Sequence, residues 1–447
     1  MKKTNKKILE SKRIIKEEKE KIKIEKRNLR KKKYGKFSNT KVYKFFSKVF
    51  SVFKADKDTY TFSEVFVITL FSLVIGAFAC FSVFTLFTGG RNYIKLSKEL
   101  DKFLDVYETI VDNYYNDIDK EQLIEDAIDG MVSSMGDVYT SYMDIEGTDE
   151  FNELVSGIYE GIGCTIQLQD DGVKIIEIYE NSPASKAGLE INDIILSVDD
   201  IKSEDVTIDE LSTYIKTESS GEITMVVLRG EEEKSVTLKR GKVEMPVVDS
   251  VIYEKNNKKI GYISISIFSS VSAKQFKNEL EELEKQDISG LVIDVRDNNG
   301  GYLTTVTDVV SCLLPKGKVI YQVQKGDNIE VTKDKTGASR KYPIAVLVNG
   351  NSASASEILA AAVKESYGGF VVGTKTYGKG TVQQIKTLSD GSMIKYTVEN
   401  WLTPLGNWID GEGIEPTDIV ELDEIYYENP SVENDNQFQK ALELVSK

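Results

Sequence analysis

Val65 to Phe87 reads VFVITLFSLVIGAFACFSVFTLF, 23 consecutive residues without a charge. At about 1.5 Å of rise per residue, such a run can cross a hydrocarbon layer about 30 Å thick as one helix. It exceeds the apolar core of about 7–15 residues found in a secretory signal, and no small-residue cleavage site is evident. The charge on its two sides differs in sign. The first 57 residues hold 22 Lys and Arg against 6 Asp and Glu, a net of +16, whereas the whole 447-residue chain carries −15, which leaves −31 beyond them. Lysines that precede an apolar span stay on the cytoplasmic side. The sequence therefore predicts a single-pass protein of the cell membrane. A basic cytoplasmic segment (1–62) comes first, then a transmembrane helix (63–90), then an acidic extracytoplasmic bulk.

The basic segment itself says less. Ile8, Ile15, Ile22 and Leu29 recur every seven residues, but a coiled coil needs two apolar positions per heptad. A solvated, partly helical tail or an arm lying on anionic lipid suits it. No aromatic or groove-reading pattern accompanies the lysines, so nucleic acid is not expected as a partner.

The chain contains no histidine. A nucleophilic serine would need another base, and a desolvated lysine is the established alternative to imidazole. Residues 343–348 (PIAVLV) read as a buried strand, Asn349-Gly350-Asn351 as a turn, and SEILAAAVKE as a helix. Ser354 then stands near a helix N-terminus, where unpaired amides favour negative charge. There the Ala355 N–H could serve a tetrahedral oxyanion. Ser352, Ser354 and Ser356 could equally be plain helix caps. Lys379 follows a second buried strand (FVVGTK) in the glycine-flanked loop Tyr377-Gly378-Lys379-Gly380. An amine works as a base only when neutral, so its pKa must fall from roughly 10.4 toward about 8, and desolvation does this. Gln383, four residues on, could hold the amine without adding charge. The same loop also matches G-x-x-x-x-G-K, but Gly380 stands where a phosphate-binding loop needs Ser or Thr, and the following TVQQIKTL reads as a strand.

VLVNGNSASASEI followed by VVGTKTYGKGTVQ, together with IDVRDNNGGYL (293–303), resembles the carboxy-terminal processing proteases, or tail-specific proteases, from about Tyr93 to Asp418. The resemblance implies Ser354 as nucleophile, Lys379 as general base and Gln383 as the residue that orients the lysine. It implies a second oxyanion amide from the glycine segment, assigned to Gly301 with Gly300 as the alternative, beside that of Ala355. Asn299 stands where many relatives carry proline. The stretch DGEGIEP (410–416) resembles the closing segment of the family and reads as structural.

Tyr159 to Arg240 alternates strands and turns, with short helices near Ala184–Gly188 and over Ile208–Thr217, where Leu211 and Ile215 share one face. This order resembles a PDZ domain of the circularly permuted kind found in bacterial proteases. Such a domain adds an extended peptide to a sheet edge and holds its terminal carboxylate on backbone amides. The resemblance assigns that loop to Gly161, Ile162 and Gly163.

Length suggests about three domains. The expected order after the membrane is a helical region (91–157), a PDZ domain (158–242), a protease core (243–425) and an acidic tail (426–447) with a short helix at Gln437–Val445. In the family the helical region contributes to dimerisation, which implies a possible homodimer. Of the three cysteines only Cys164 and Cys312 lie outside the apolar run, and a disulfide between them is left open. Without histidine or C-x-x-C pairs no zinc site is expected, and no metal or other cofactor is implied. Alternating strands and helices give an α/β core, which the resemblance sharpens to a crotonase-like fold. The function so implied is a membrane-anchored serine endopeptidase with a Ser-Lys dyad, cleaving extracytoplasmic proteins near their C-termini after the PDZ domain has captured the tail. The alternative is a catalytically inactive PDZ adaptor that binds protein C-termini at the membrane.

Overall fold

The computed structural model describes residues 62–87, 98–217, 221–338 and 340–447. The basic segment with its seven-residue stripe therefore lies outside the described residues, apart from Phe62. The chain divides into two units, Met1–Tyr115 and Asn116–Lys447. In the first, the apolar run forms a helix, α1 (Phe62–Phe87), and α2 spans Lys98–Asn113. The side chains of α1 are described without a break only over residues 69–80. Among the described residues, no helix is long and apolar enough to cross a membrane. On α2, Leu100, Phe103, Leu104 and Ile110 are exposed.

The second unit begins with α3 (Lys120–Ser133), N-capped by Asp119. A short strand follows, β1 (Ser141–Met143), and then α4 (Ile145–Ser156). The strand is a departure from the all-helical reading of this region. Its three residues are only half-buried and too few to show a period, so nothing local announces them. Their register with a distant strand creates them.

Residues 158–244 then build the small β-rich module. A ladder of β2 (Ile158–Gly161) with β8 (Gly241–Glu244) closes its base. Its sheet contains β3 (Cys164–Gln169), β4 (Gly172–Ile178), β5 (Ile194–Val198), β6 (Glu222–Arg229) and β7 (Glu232–Lys239) in that spatial order. A two-residue strand, Ile201–Lys202, is added to β5. Helix α5 (Ile208–Thr217) lays Leu211 and Ile215 on a core of Ile175, Ile195, Ile223 and Met225. Strand β3 is left as an open edge.

The larger core is a six-stranded sheet. Its order is β9 (Val248–Lys255), β10 (Lys258–Ile265), β11 (Gly290–Asp294), β14 (Ile344–Val348), β15 (Phe370–Gly373) and β18 (Asp418–Ile419). Only the β9–β10 pair is antiparallel. Every residue of β11 and β14 is buried, as a parallel sheet covered on both faces requires. The alternation is visible in the packing. Ile293 and Val346 face α6 (Ser272–Glu284), α7 (Leu303–Ser311) and α8 (Ala355–Ala361). Val292, Ala345 and Leu347 instead face Phe438, Ala441 and Leu442 of α9 (Asn436–Val445). The segment read as an acidic tail thus covers one face of the sheet. Asp435 at its start is buried against Arg296, and the apolar stripe of its last helix completes the second layer.

A second sheet carries β1, β17 (Met393–Leu402), β12 (Val319–Lys325) and β13 (Asn328–Lys333) in that order, with β16 (Thr381–Thr387) also on β17. All three cysteines are free thiols.

Candidate active site

Ser354 is the residue immediately before α8 and has φ 55°, ψ −110°, a region a serine adopts only under compulsion. The compulsion comes from both sides. Before it, Ser352 is fully buried and its hydroxyl donates to the Val295 carbonyl (2.7 Å) while accepting from the Asn349 N–H (3.0 Å). After it, the Ser356 hydroxyl donates to the Asn298 carbonyl (2.8 Å). The flanking serines are therefore structural, and the middle one sits on the strained turn.

The glycine turn after β11 presses against this serine. A Cβ built on Gly300 would lie 2.8 Å from the Ala353 carbonyl oxygen and 2.9 Å from the Ser354 Cβ, and Gly300 has φ +104°. Only glycine allows that approach. Asn298, fully buried, sets the turn: its side chain donates to the Ile265 carbonyl (2.8 Å) and accepts the Gly300 N–H (2.8 Å). The Gly300 amide is thus engaged. Among the described residues, no acceptor takes the N–H of Gly301 or that of Ala355. From behind, Asp297 accepts from the side chains of Asn349 (2.9 Å) and Asn351 (2.8 Å). The asparagines of the predicted turn therefore tie the two loops together.

Lys379 lies in a loop whose main chain is pinned on every side. Trp401 donates to its carbonyl (2.6 Å), and Trp408 donates to that of Gly380 (3.1 Å). The Gly380 N–H meets Asp410 (3.0 Å), and the Gly411 N–H donates to the Gly378 carbonyl (2.9 Å). This is the structural role expected of the 410–416 segment.

The residue that joins the two halves escaped the sequence reading. Glu357, with no exposed surface, receives four hydrogen bonds. The Ser354 N–H (2.8 Å) and the Lys379 N–H (2.9 Å) share Oε2, while the Gly378 N–H (2.8 Å) and the Thr376 hydroxyl (2.6 Å) share Oε1. Because one oxygen receives both amides, the Ser354 and Lys379 nitrogens are no further apart than those two distances combined. Burial pushes the Glu357 pKa upward, against the pull of those four donors toward the anion. The only signal for it was a Glu three residues after a serine, which reads as an ordinary capping box.

The lysine side chain is held differently. Its Nζ lies 4.8 Å from the centroid of the Tyr139 ring, and among the described residues no hydrogen bond or ion pair reaches it. Burial brings its pKa down to about 8; Lys395 pushes the same way, and Asp137 and Glu357 oppose. The amine is thus poised to be neutral in mildly alkaline water. Gln383 is half-buried on β16, and its amide donates to the hydroxyls of Thr381 (2.9 Å) and Thr397 (3.3 Å), not to Lys379. The Ser354 turn, the Lys379 main chain, Ala355 and the Gly300-Gly301 turn come together, whereas the Gln383 amide is engaged by Thr381 and Thr397.

Gly161, Ile162 and Gly163 lie elsewhere, in the small β-rich module. They lead into the open edge β3, and a cavity of about 330 Å³ runs between that edge and α5, lined by Gly161, Ile162, Thr165, Ile166 and Ile215 among others. A larger cavity, about 570 Å³, opens beside Tyr262, Asp294 and Arg296 and touches neither Ser354 nor Lys379. Arg296 bridges Asp294 (2.6 Å) and Asp435 (2.8 Å) there, so the last helix is fastened to the loop that begins the glycine turn.

Comparison with known proteins follows the same division. Residues 259–420 match peptidase family S41, residues 161–239 a PDZ domain, and residues 85–147 the N-terminal domain of the activating protease CtpB. The carboxy-terminal processing protease CtpB of Bacillus subtilis (strain 168) is 37% identical over 336 residues, covering 74% of this chain and 70% of that protein. A probable CtpA-like serine protease of Staphylococcus aureus (strain N315) is 35% identical over 336 residues, covering 74% of this chain and 66% of that one. Among solved structures, the photosystem II D1 C-terminal processing protease aligns at 25% identity with a TM-score of 0.42, over 73% of this chain and 94% of that one. This chain belongs to the carboxy-terminal processing proteases of family S41, serine-type peptidases, and it carries a PDZ domain.

Proposed function

We propose that the chain is a membrane-anchored endopeptidase that captures the C-terminal tail of an extracytoplasmic protein on its PDZ domain and cleaves it with a Ser354–Lys379 dyad. The observation that carries the dyad is Glu357, whose one carboxylate oxygen accepts from the main chains of both residues. The depressed pKa of Lys379 supports it. In this reading the neutral Lys379 amine takes the proton of the Ser354 hydroxyl as Oγ attacks the scissile carbonyl. The oxyanion accepts from the Gly301 and Ala355 amides, both without an internal acceptor. On collapse the Lys379 ammonium gives its proton to the leaving amine, and the acyl-enzyme remains. Water, deprotonated by the again neutral lysine, then releases the acid and the free serine. Gln383, four residues further along the chain on β16, would receive the amine as it turns toward Ser354.

Tail capture is supported by the open edge β3, the glycine loop beside it and the apolar cavity between that edge and α5. Anchoring and orientation rest on the uncharged run that forms α1 and on the reversal of charge across it.

The test uses the full-length chain in detergent and a peptide substrate ending in an apolar residue with a free carboxylate. Ser354→Ala and Lys379→Ala should each abolish turnover while leaving tail binding intact. Equal turnover by all three proteins would remove the dyad. In sealed right-side-out membranes, added protease should digest the bulk and spare the basic segment; digestion of the basic segment alone would reverse the orientation.

A further inference from the structure

The amine of the lysine that serves as base in the dyad reading lies over the ring of a residue outside both site loops, 4.8 Å from its centroid. We propose that Tyr139 is a positioning residue for Lys379: its ring seats the ammonium at rest, and the amine leaves for Ser354 only once it has lost its proton. The inference rests on the dyad reading above.

Tyr139 belongs to the short link between α3 and β1, upstream of the PDZ domain, and that link is rigid. Asp137 accepts from the Tyr139 N–H (3.0 Å) and from the Thr140 hydroxyl (2.6 Å), and Thr140 in turn accepts from the Thr397 N–H of β17 (3.2 Å). Strand β1 then pairs with β17, Ser141 opposite Lys395. The main chain that carries the ring is therefore fixed, whereas the lysine side chain has no hydrogen bond among the described residues. Burial and the neighbouring Tyr377 hydroxyl push the Tyr139 phenol up to about 12, so the ring remains neutral wherever the enzyme works.

A ring face attracts a cation and has no comparable hold on a neutral amine. This is the contact that distinguishes the two protonation states by position. The other groups facing Lys379 act on its charge without occupying the amine: Lys395 of β17 disfavours the ammonium, while Asp137 of the link and Glu357 of α8 favour it. Tyr377, on the lysine's own loop, and Asp410 bear on the Tyr139 hydroxyl. The seat thus keeps a protonated lysine off the nucleophile and releases it when it can act.

Removing the ring face withdraws a stabilisation of the charged form. In the full-length protein, Tyr139→Leu should move the acid limb of the kcat/KM profile down by about half to one pH unit, the shift expected for a partly buried cation–ring contact. KM should be unchanged, and Tyr139→Phe, which keeps the face, should restore the wild-type limb. A structural role alone would lower kcat without moving the limb. Should Tyr139→Leu fold poorly, the ε-carbon resonance of Lys379, assigned by its loss in Lys379→Arg, gives the same titration in the wild type and Tyr139→Phe. Coincident midpoints support the seat, and a fall in Tyr139→Phe as large as that expected for Tyr139→Leu overturns it. An acid limb that is unmoved or raised in Tyr139→Leu overturns the seat while leaving the dyad intact. A flat wild-type profile with an active Lys379→Ala overturns both.

Discussion

The turn that bears Ser354 and the side chain of Lys379 are held in opposite ways. The serine's main chain is strained and over-determined: Glu357, Asn298, Ser352 and Ser356 leave it no other conformation. The lysine's main chain is equally fixed, yet its amine rests on an aromatic face without a hydrogen bond. A nucleophile and an oxyanion site gain from rigidity, because misplacement by about 1 Å is costly. A base that must give and take a proton twice per cycle gains from a side chain that can move. In the proposed mechanism the site fixes the atoms that would bind charge and leaves mobile the one that would carry the proton.

The most severe break in this arrangement is to remove either partner. Ser354→Ala or Lys379→Ala should cut kcat by at least about 10⁴-fold, read as single-turnover cleavage by the full-length protein. Glu357→Gln attacks the anchor common to both arms, since an amide must offer N–H groups to some of the four donors. It should reduce kcat/KM by about a hundredfold or more and lower stability by about 2–4 kcal/mol, measured by cleavage rate and denaturant midpoint. Gly300→Ala strikes the rigid arm alone. The added carbon meets the Ala353 carbonyl at 2.8 Å and an unfavourable φ, so kcat should fall at least about tenfold and stability by about 1–3 kcal/mol.

The mobile arm is read through pH. As the proposed base Lys379 would act only when neutral, so kcat/KM should rise with pH through about 8, falling nearly tenfold per unit below it. A flat profile from pH 6 to 10 would exclude a titrating amine with that value. The smallest effect sharpens the comparison by touching neither arm. Amidating the substrate's C-terminus should raise KM by about tenfold, the worth of hydrogen bonds to a lost charge, and leave kcat nearly unchanged.

Much of this was legible before any coordinate. The apolar strands Ile344–Val348 and Phe370–Gly373, the turn between strand and serine, and the helix Ile208–Thr217 with Leu211 and Ile215 inward all follow from periodicity and turn chemistry. Local signals failed where partners are distant in sequence. Strand β1 exists because Ser141 to Met143 register with Met393 to Lys395, some 250 residues on. The C-terminal helix reads as an acidic tail until its apolar face meets Val292 and Leu347. Tyr139, in a link between a helix and a strand, carries no mark of a lysine 240 positions away.

The residue types alone determined that any nucleophilic serine here works without imidazole, that an uncharged run divides a basic end from an acidic bulk, and which two loops carry the candidate dyad. Those are statements about composition and short spacing, which local chemistry controls. Tertiary structure decided which amides remain unpaired for an oxyanion, that a buried glutamate locks the two loops together, and that the amine rests on a ring. Each of these depends on long-range packing, which excludes water and makes a carboxylate or an ammonium answer to neighbours that the chain order keeps far apart.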